Sequence, residues 1–221
     1  GGAARSRRRA LFESLYGGEG GVVGRSASAL AEVAQAAGRL ELSEAEASRR
    51  GYPQSPTGRG LFEVAQVLRG DLGLRVATLD VPGWDTHVGQ GAADGRFAQR
   101  TAELATALAA FAQDLGKTLD DVVVLGVSEF GRTVAENGNG GTDHGHGTAF
   151  LALGGGVRGG RVHGRWPGLS AGALHEGRDL AVTTDFRSLF AEVAVRHLGA
   201  PADPLFPGFK NGSYPGVMGQ V

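Results

Sequence analysis

Three clusters of polar residues contain the side-chain types that bind metal ions and oxyanions. They are Gly83-Trp84-Asp85-Thr86-His87, Ser128-Glu129-Phe130-Gly131-Arg132-Thr133 and Gly141-Thr142-Asp143-His144-Gly145-His146-Gly147. The first two each follow a segment with the apolar character of a strand, and the third ends the long loop that begins at the second. Because α/β sheets bind ligands at the carboxyl ends of their strands, we expect the clusters to form one site.

The first and third clusters each place a carboxylate beside an imidazole, which is a common pair of metal ligands. Asp85 and His87 are two residues apart, and side chains two apart in an extended segment point the same way. Asp143 and His144 are adjacent, but a turn flanked by glycine can bring both to one side. Oxygen and nitrogen ligands without thiolate suit Zn²⁺, Mn²⁺ or iron. His146 and His163 also lie in the polar loops, and the histidines together with the neighbouring aspartates predict a divalent-metal site.

The second cluster allows two interpretations of its charged residues. Glu129 and Arg132 are three residues apart and could pair with each other. Alternatively, the planar guanidinium of Arg132 could bind an oxyanion in a forked arrangement. The glycine-rich run at residues 137–141 favours turns over a phosphate-binding loop, because no Gly-Lys-Ser/Thr follows it.

The composition is that of an ordinary globular protein and excludes several functional classes. The 221 residues are 41% hydrophobic and 20% charged, and a net charge of −1 argues against nucleic-acid binding. The absence of cysteine rules out disulfides, thiolate metal sites and a cysteine nucleophile. No apolar run approaches the ~18 residues that span a bilayer. The arginines at positions 5 and 7–9 precede no apolar stretch typical of a signal peptide, so none is expected.

A strand, a helix and a second strand predict a βαβ unit in the middle of the chain. Residues 74–79 and 122–127 are compact apolar runs typical of buried strands. Between them, Asp94 can cap a helix whose apolar face comprises Phe97, Thr101, Leu104, Leu108, Phe111 and Leu115. A βαβ connection makes its strands parallel, so the pattern predicts an α/β fold.

Further elements are predicted on both sides of this unit. Helices are expected at residues 5–16, 26–37, 61–68 and 185–197, and Ser43 with Glu46 has the spacing of a capping box. Short strands are expected at 150–153, 157–163 and 180–183. We interpret residues 1–221 as one α/β domain, with a helical lead-in at 1–60, a motif-bearing core at 61–209 and a tail at 210–221.

Taken in order, the motifs resemble those of one bacterial family. To the three clusters the resemblance adds Asn137-Gly138-Asn139-Gly140, Gly155-Gly156-Val157-Arg158-Gly159-Gly160, Thr183-Thr184-Asp185-Phe186 and Phe206-Pro207-Gly208-Phe209. The family is a sulfatase-like one of unknown function whose members often carry twin-arginine export signals. It is similar to the alkaline phosphatase superfamily. The resemblance extends from about residue 61 to residue 209.

The resemblance implies an alkaline-phosphatase-like α/β/α sandwich, with a mostly parallel central sheet and two metal ions at its carboxyl edge. Asp143 and His144 match the Asp-His pair of that superfamily, and His163 matches a later single histidine ligand. Asp85 and His87 match the other pair of ligands. The implied cofactor is a divalent metal, most simply Zn²⁺ or Mn²⁺, and the implied location is the exported or periplasmic space.

The sequence departs from the superfamily pattern in two places. Asp85 and His87 are two residues apart instead of four, and Asp80 is a competing carboxylate. An early strand that would supply a first metal-binding aspartate and a nucleophile is not found, so the N-terminal part of the domain is expected to be absent. Thr57 and Ser128 are the hydroxyls that could be proposed as nucleophile, without supporting context.

The implied activity is hydrolysis of small phosphate or sulfate esters by a metal-dependent enzyme. Arg132 would stabilise the oxyanion, and Glu129 is the second catalytic candidate. The alternative is a non-catalytic metal-binding remnant, or a scaffold that works with a partner chain or with a second copy of itself. Without a clear nucleophile, we expect this chain alone to be nearly silent as a catalyst.

Overall fold

The computed structural model describes residues 42–201, 205–210 and 213–219, together with residues 38 and 40. The helices predicted at residues 5–16 and 26–37 lie outside the described residues. Contacts between residues divide the chain into two compact units, one ending at Leu79 and the other beginning at Asp80. Across the part of the chain that the structure describes, no helix combines the length and the apolar character needed to cross a bilayer.

Helix α1 spans Glu44–Arg49 and begins at the predicted serine cap. The Ser43 side chain accepts a hydrogen bond from the Glu46 backbone N–H at 3.2 Å, which confirms the cap. The Glu46 carboxylate pairs with Arg49 and Arg50 on the next turn. Local sequence therefore decides where this short helix begins.

Helix α2 spans Pro56–Arg69 and starts five residues before the predicted helix at residues 61–68. Ser55 caps it by accepting a hydrogen bond from the Gly58 backbone N–H at 3.1 Å. Proline suits the first helical position because the amide it lacks has no intrahelical partner there. The rings of Tyr52 and Phe62 pack edge to face with centroids 5.4 Å apart and form a buried core for this unit.

Helix α3 spans Arg96–Leu115, close to the predicted helix. Its N-cap is Gly95, with φ of 89° and no side-chain cap, one residue after the expected cap Asp94. The buried face lies in the C-terminal half of the helix and consists of Ala107, Ala110, Phe111 and Leu115. Near its start, Phe97 packs edge to face on Trp84, which fixes the beginning of the loop that carries Asp85.

The described residues form one two-stranded sheet, and its strands are antiparallel. Strand β1 spans Val123–Gly126 and strand β2 spans Leu151–Gly154, with a register from Val123 opposite Gly154 to Gly126 opposite Leu151. Both strands were predicted, but the α/β/α sandwich with a mostly parallel sheet is wrong for the described chain. Parallel neighbours need a crossover connection, usually a helix, and no helix lies between β1 and β2.

The other predicted strands do not form in the described part of the chain. Residues 74–79 pair with no strand, and Val76 is exposed. Residues 180–183 also lie outside any strand, and residues 157–163 contribute a single bridge from Val157 to Met218. Short apolar runs alone do not distinguish a buried strand from an extended surface segment, and this ambiguity produced the parallel prediction.

Helix α4 spans Phe186–Arg196 and confirms the predicted cap. The Asp185 carboxylate accepts a hydrogen bond from the Arg187 backbone N–H at 2.9 Å, and His197 is the C-cap. Inside α4, the fully buried Glu192 accepts hydrogen bonds from three consecutive backbone N–H groups of the C-terminal segment, at Gly216, Val217 and Met218. This carboxylate fastens the end of the described chain to the helix.

Candidate metal centre

Two loops that are distant in sequence lie against each other through backbone hydrogen bonds. The Thr142 N–H donates to the Thr86 carbonyl at 3.1 Å, and the Gln90 N–H donates to the Gly140 carbonyl at 2.8 Å. Thr86 lies between Asp85 and His87, and Thr142 precedes Asp143 and His144. The pairing therefore brings the first and third polar clusters together.

Gly141 makes this close approach possible. A Cβ at this position would lie 2.3 Å from the carbonyl carbon and oxygen of His87 and 2.4 Å from the carbonyl oxygen of Thr86. These are rigid backbone atoms, so a side chain would push the loops apart. Glycine is required at position 141 because there is no space for a side chain between the two loops.

Four polar side chains hold the two loops in register. The amide oxygen of Gln90 accepts hydrogen bonds at 2.6 Å from the hydroxyls of both Thr86 and Thr142. Asn137 donates to the His87 carbonyl at 3.0 Å, and its own side-chain oxygen accepts from the Gly141 N–H at 3.1 Å. Asn137 and Gln90 are positioning residues that the motif analysis did not assign to the site.

Asp85, His87 and His144 form a compact triangle of potential ligand atoms, here named the Asp85 cluster. His87 Nε2 lies 3.0 Å from His144 Nε2, and each of these nitrogens lies 3.1 Å from Asp85 Oδ1. An ion about 2.1 Å from each of three ligands holds them about 3.0–3.4 Å apart in octahedral or tetrahedral geometry. The triangle has the size that a first-row metal ion requires.

Asp143 lies behind His87 and determines which imidazole nitrogen faces the triangle. His87 Nδ1 is 3.0 Å from Asp143 Oδ1, and an ionised carboxylate can only accept, so Nδ1 carries the hydrogen. The hydrogen bond from His87 and a second one from Asn137 lower the pKa of Asp143 below its usual value. In neutral His87 the Nε2 lone pair therefore points to the cluster, as in carboxylate–histidine–metal arrangements.

Arg132 holds Asp85 in place from the other side. Its guanidinium donates to Asp85 Oδ1 at 2.5 Å, to the Trp84 carbonyl at 3.0 Å and to the Thr142 carbonyl at 2.7 Å. The hydrogen bonds from His144 and from Arg132 lower the pKa of Asp85. The carboxylate consequently remains ionised and oriented towards the two imidazoles.

The Asp85 cluster is open to solvent. Its side chains are 41–69% exposed, so a bound ion would keep coordination positions free for water or substrate. Catalytic zinc sites commonly have three protein ligands and one open position, whereas structural sites are closed. The arrangement therefore suits reaction chemistry more than structural stabilisation.

The remaining predicted residues lie outside the Asp85 cluster. His163 Nε2 is 2.9 Å from the Arg158 carbonyl, and Glu129 is exposed with no hydrogen bond to the cluster in the described structure. The Ser128 hydroxyl donates to the Phe130 carbonyl at 3.1 Å. Asp80, at the start of the second unit, is exposed.

A second group of potential ligands, here named the Asp179 cluster, consists of His146, His175 and Asp179. The sequence motifs place His146 in a predicted metal-binding loop, whereas His175 and Asp179 belong to none of these motifs. Glu176 and Gly177, directly after His175, are a pair that can form a tight turn. Gly177 favours a turn, but glutamate is not a preferred residue before it, so the sequence gives only a weak signal that His175 and Asp179 meet.

The chain belongs to the family described as a protein of unknown function, DUF1501, which it matches over residues 7–205. The assignment to a sulfatase-like branch of the alkaline phosphatase superfamily is wrong, because the sequence matches no sulfatase or alkaline phosphatase family. No curated protein and no solved structure matches the chain.

Proposed function

We propose that the chain is a metal-dependent hydrolase of phosphate or sulfate esters, with its metal held by the Asp85 cluster. The observation that carries the proposal is the triangle of Asp85 Oδ1, His87 Nε2 and His144 Nε2, with sides of 3.0–3.1 Å. Lone pairs on three such atoms repel one another unless protons or a cation lie between them. Two imidazoles and one carboxylate suit Zn²⁺, and they also suit Mn²⁺ or Fe²⁺.

The charge of the site supports an anionic substrate. Asp85 and Asp143 carry two negative charges and Arg132 one positive charge, so a divalent ion would give the group a net charge of about +1. Without the ion the same group is negative and would repel an ester anion. Ion binding therefore turns the exposed loops into an attractive surface for phosphate or sulfate groups.

The residues of this chain divide the work between ligation and positioning. His87, His144 and Asp85 provide the ligand atoms, while Asp143 orients His87 and Arg132 orients Asp85. A divalent ion supplies Lewis acidity to an ester oxygen and acidifies water that can attack the ester. The open side of the cluster provides space for both, so the reaction does not need a serine or threonine nucleophile.

The test is hydrolysis of nitrophenyl phosphate and nitrophenyl sulfate by the metal-free chain after addition of Zn²⁺ or Mn²⁺. We expect activity that depends on the added ion and is lost in His144→Gln and His87→Gln. Both residues are partly exposed, so circular dichroism should show an unchanged fold. His163→Gln is the matched control, since His163 lies outside the cluster, and it should retain both metal and activity.

Two results would overturn the proposal. Stoichiometric metal binding without turnover of either ester would instead support the non-catalytic, metal-binding alternative. Metal binding that is unaffected in His144→Gln would show that the Asp85 cluster is not the site.

A further inference from the structure

Asp179 is a fully buried carboxylate held by His146. Its Oδ2 atom accepts a hydrogen bond from the His146 backbone N–H at 2.6 Å and lies 2.9 Å from His146 Nδ1. These two contacts fix the carboxylate relative to the imidazole. His146 itself is about half exposed, so the pair connects the protein interior with the surface.

A tight turn brings His175 to the same carboxylate. The His175 N–H donates to the Asp179 carbonyl at 2.8 Å, and the Arg178 N–H donates to the His175 carbonyl at 3.0 Å. The two residues inside the turn, Glu176 and Gly177, have φ of 52° and 67°. Positive φ at both central residues is typical of the tightest hairpin turns.

The Asp179 cluster contains two buried polar atoms that lack hydrogen bonds within the described structure. They are His175 Nδ1 and Asp179 Oδ1. The guanidinium of Arg178 lies 3.1 Å from Oδ1, but it is not aligned for a hydrogen bond and is about half exposed. Leaving a buried polar atom without a hydrogen bond costs about 1–3 kcal/mol, so a ligand that contacts these two atoms would stabilise the folded chain.

The three residues are close enough to share one ion. One ligand atom from each of His146, His175 and Asp179 lies within 4.8 Å of the other two, and the imidazole centroids are 4.1 Å apart. Gly145 allows this packing, because a Cβ there would lie 2.7 Å from Asp179 Cβ.

We propose that His146, His175 and Asp179 form a second binding site for a divalent transition-metal ion, separate from the Asp85 cluster. Two imidazoles and one carboxylate are a suitable donor set for Zn²⁺ or Co²⁺. The ion supplies the partner that His175 Nδ1 and Asp179 Oδ1 lack. Because its carboxylate is buried, this site is more enclosed than the Asp85 cluster and suits a structural ion.

The decisive experiment is titration of the metal-free chain with Zn²⁺ and with Co²⁺. Calorimetry measures the binding of each ion, and visible absorption also reports the binding of Co²⁺. We expect two equivalents in the unaltered chain and one in the double variant His146→Gln/His175→Gln. Affinity at the altered site should fall at least tenfold, since even residues that only support metal ligands contribute about 10–100-fold. His163→Gln is the control and should bind two equivalents.

A variant that lacks the two histidines of the Asp85 cluster tests the second site independently of the proposed function. The variant His87→Gln/His144→Gln should still bind one equivalent and should still melt at a higher temperature when Zn²⁺ is added. That rise should disappear when His175→Gln is introduced as well. Binding of no ion by His87→Gln/His144→Gln would overturn the second site, and so would two equivalents in His146→Gln/His175→Gln. Absence of ester hydrolysis would affect neither measurement.

Discussion

Glu192 and Asp85 are both carboxylates that connect separate parts of the chain, but their partners differ in kind. Glu192 is fully buried and accepts hydrogen bonds at 2.9–3.1 Å from three consecutive backbone N–H groups. Asp85 is exposed and faces two imidazole nitrogens and the guanidinium of Arg132. The hydrogen bonds of Glu192 are all supplied by the protein itself. Asp85 and the two imidazoles instead have lone pairs that a cation can bind.

This comparison separates a structural carboxylate from a candidate functional one. Backbone N–H groups are permanent donors, so Glu192 needs nothing beyond the folded chain. Imidazole nitrogens can also bind metal ions, so an ion can replace the hydrogen bonds between Asp85 and its histidine partners. Substitutions at the two positions should therefore affect different measurements.

The largest effect is expected for Glu192→Ala. The change leaves three backbone N–H groups without their acceptor, and a hydrogen bond to a charged group makes a net contribution to stability of about 1.5–3 kcal/mol. We expect the free energy of unfolding, measured in urea, to fall by about 3 kcal/mol or more. Glu192→Gln keeps one acceptor oxygen and should lose less. An unchanged urea midpoint in Glu192→Ala would contradict the structural role.

Asp143→Ala should have its main effect on metal affinity. Loss of the carboxylate frees His87 to rotate and to exchange its tautomer, so Zn²⁺ affinity should fall about 10–100-fold with little change in urea stability. Asp143→Asn is the matched control, because its amide oxygen can still accept from His87 Nδ1. The Zn²⁺ affinity of Asp143→Asn should lie between that of Asp143→Ala and that of the unaltered chain. Complete loss of binding in both variants would show that Asp143 is itself a ligand.

Arg132→Lys should have a smaller effect of the same type. Lysine keeps the positive charge but cannot donate from a planar fork to Asp85 and to two backbone carbonyls at once. We expect Zn²⁺ affinity to fall about tenfold, near the lower end for a residue that supports a metal ligand. Calorimetric titration measures the loss. A large fall in melting temperature without any change in affinity would assign Arg132 a structural role instead.

The smallest effect concerns Asp185, which resembles Glu192 in serving the backbone but is partly exposed. Its pairing with Arg187 lowers its pKa in the folded chain below the usual 3.8. A lowered pKa means that its stabilising contribution is present above about pH 3.8 and is lost as the pH falls through the folded value. Asp185→Asn keeps the cap without the charge.

The measurement is the difference in unfolding free energy between the unaltered chain and Asp185→Asn from pH 6 to pH 2.5. It should be constant above pH 4.5 and should shrink below about pH 3.8. A difference that grows on acidification would contradict the lowered pKa of Asp185 in the folded chain.

Much of the local structure could be predicted from the sequence. The caps at Ser43 and Asp185 and the strands β1 and β2 form where composition and spacing place them. The prediction of a parallel sheet was wrong, because an apolar run indicates that a segment can be buried but does not indicate which segment it packs against. The run at residues 74–79 has suitable composition but pairs with no strand in the described chain.

The Asp85 cluster shows the same division. Residue types and spacing drew attention to Asp85, His87, Asp143 and His144 as one chemical group. They did not show that Asp143 contacts His87 while Asp85 contacts His144, nor that His163 lies outside the cluster. These assignments depend on the packing of two loops at Gly141, where backbone atoms leave no space for a side chain.

Local sequence is sufficient to specify the helix caps, the segments that become β1 and β2, and the residue types available for metal binding. These depend on interactions within a few residues, such as the bond from the Glu46 N–H to Ser43. Three features depend on long-range packing: the antiparallel pairing of β1 with β2, the contact between Asp85 and His144 across 59 residues, and the contact between His146 and Asp179 across 33. Contacts over such separations form only when packing repays the entropy of closing the intervening chain, and that balance belongs to the whole fold.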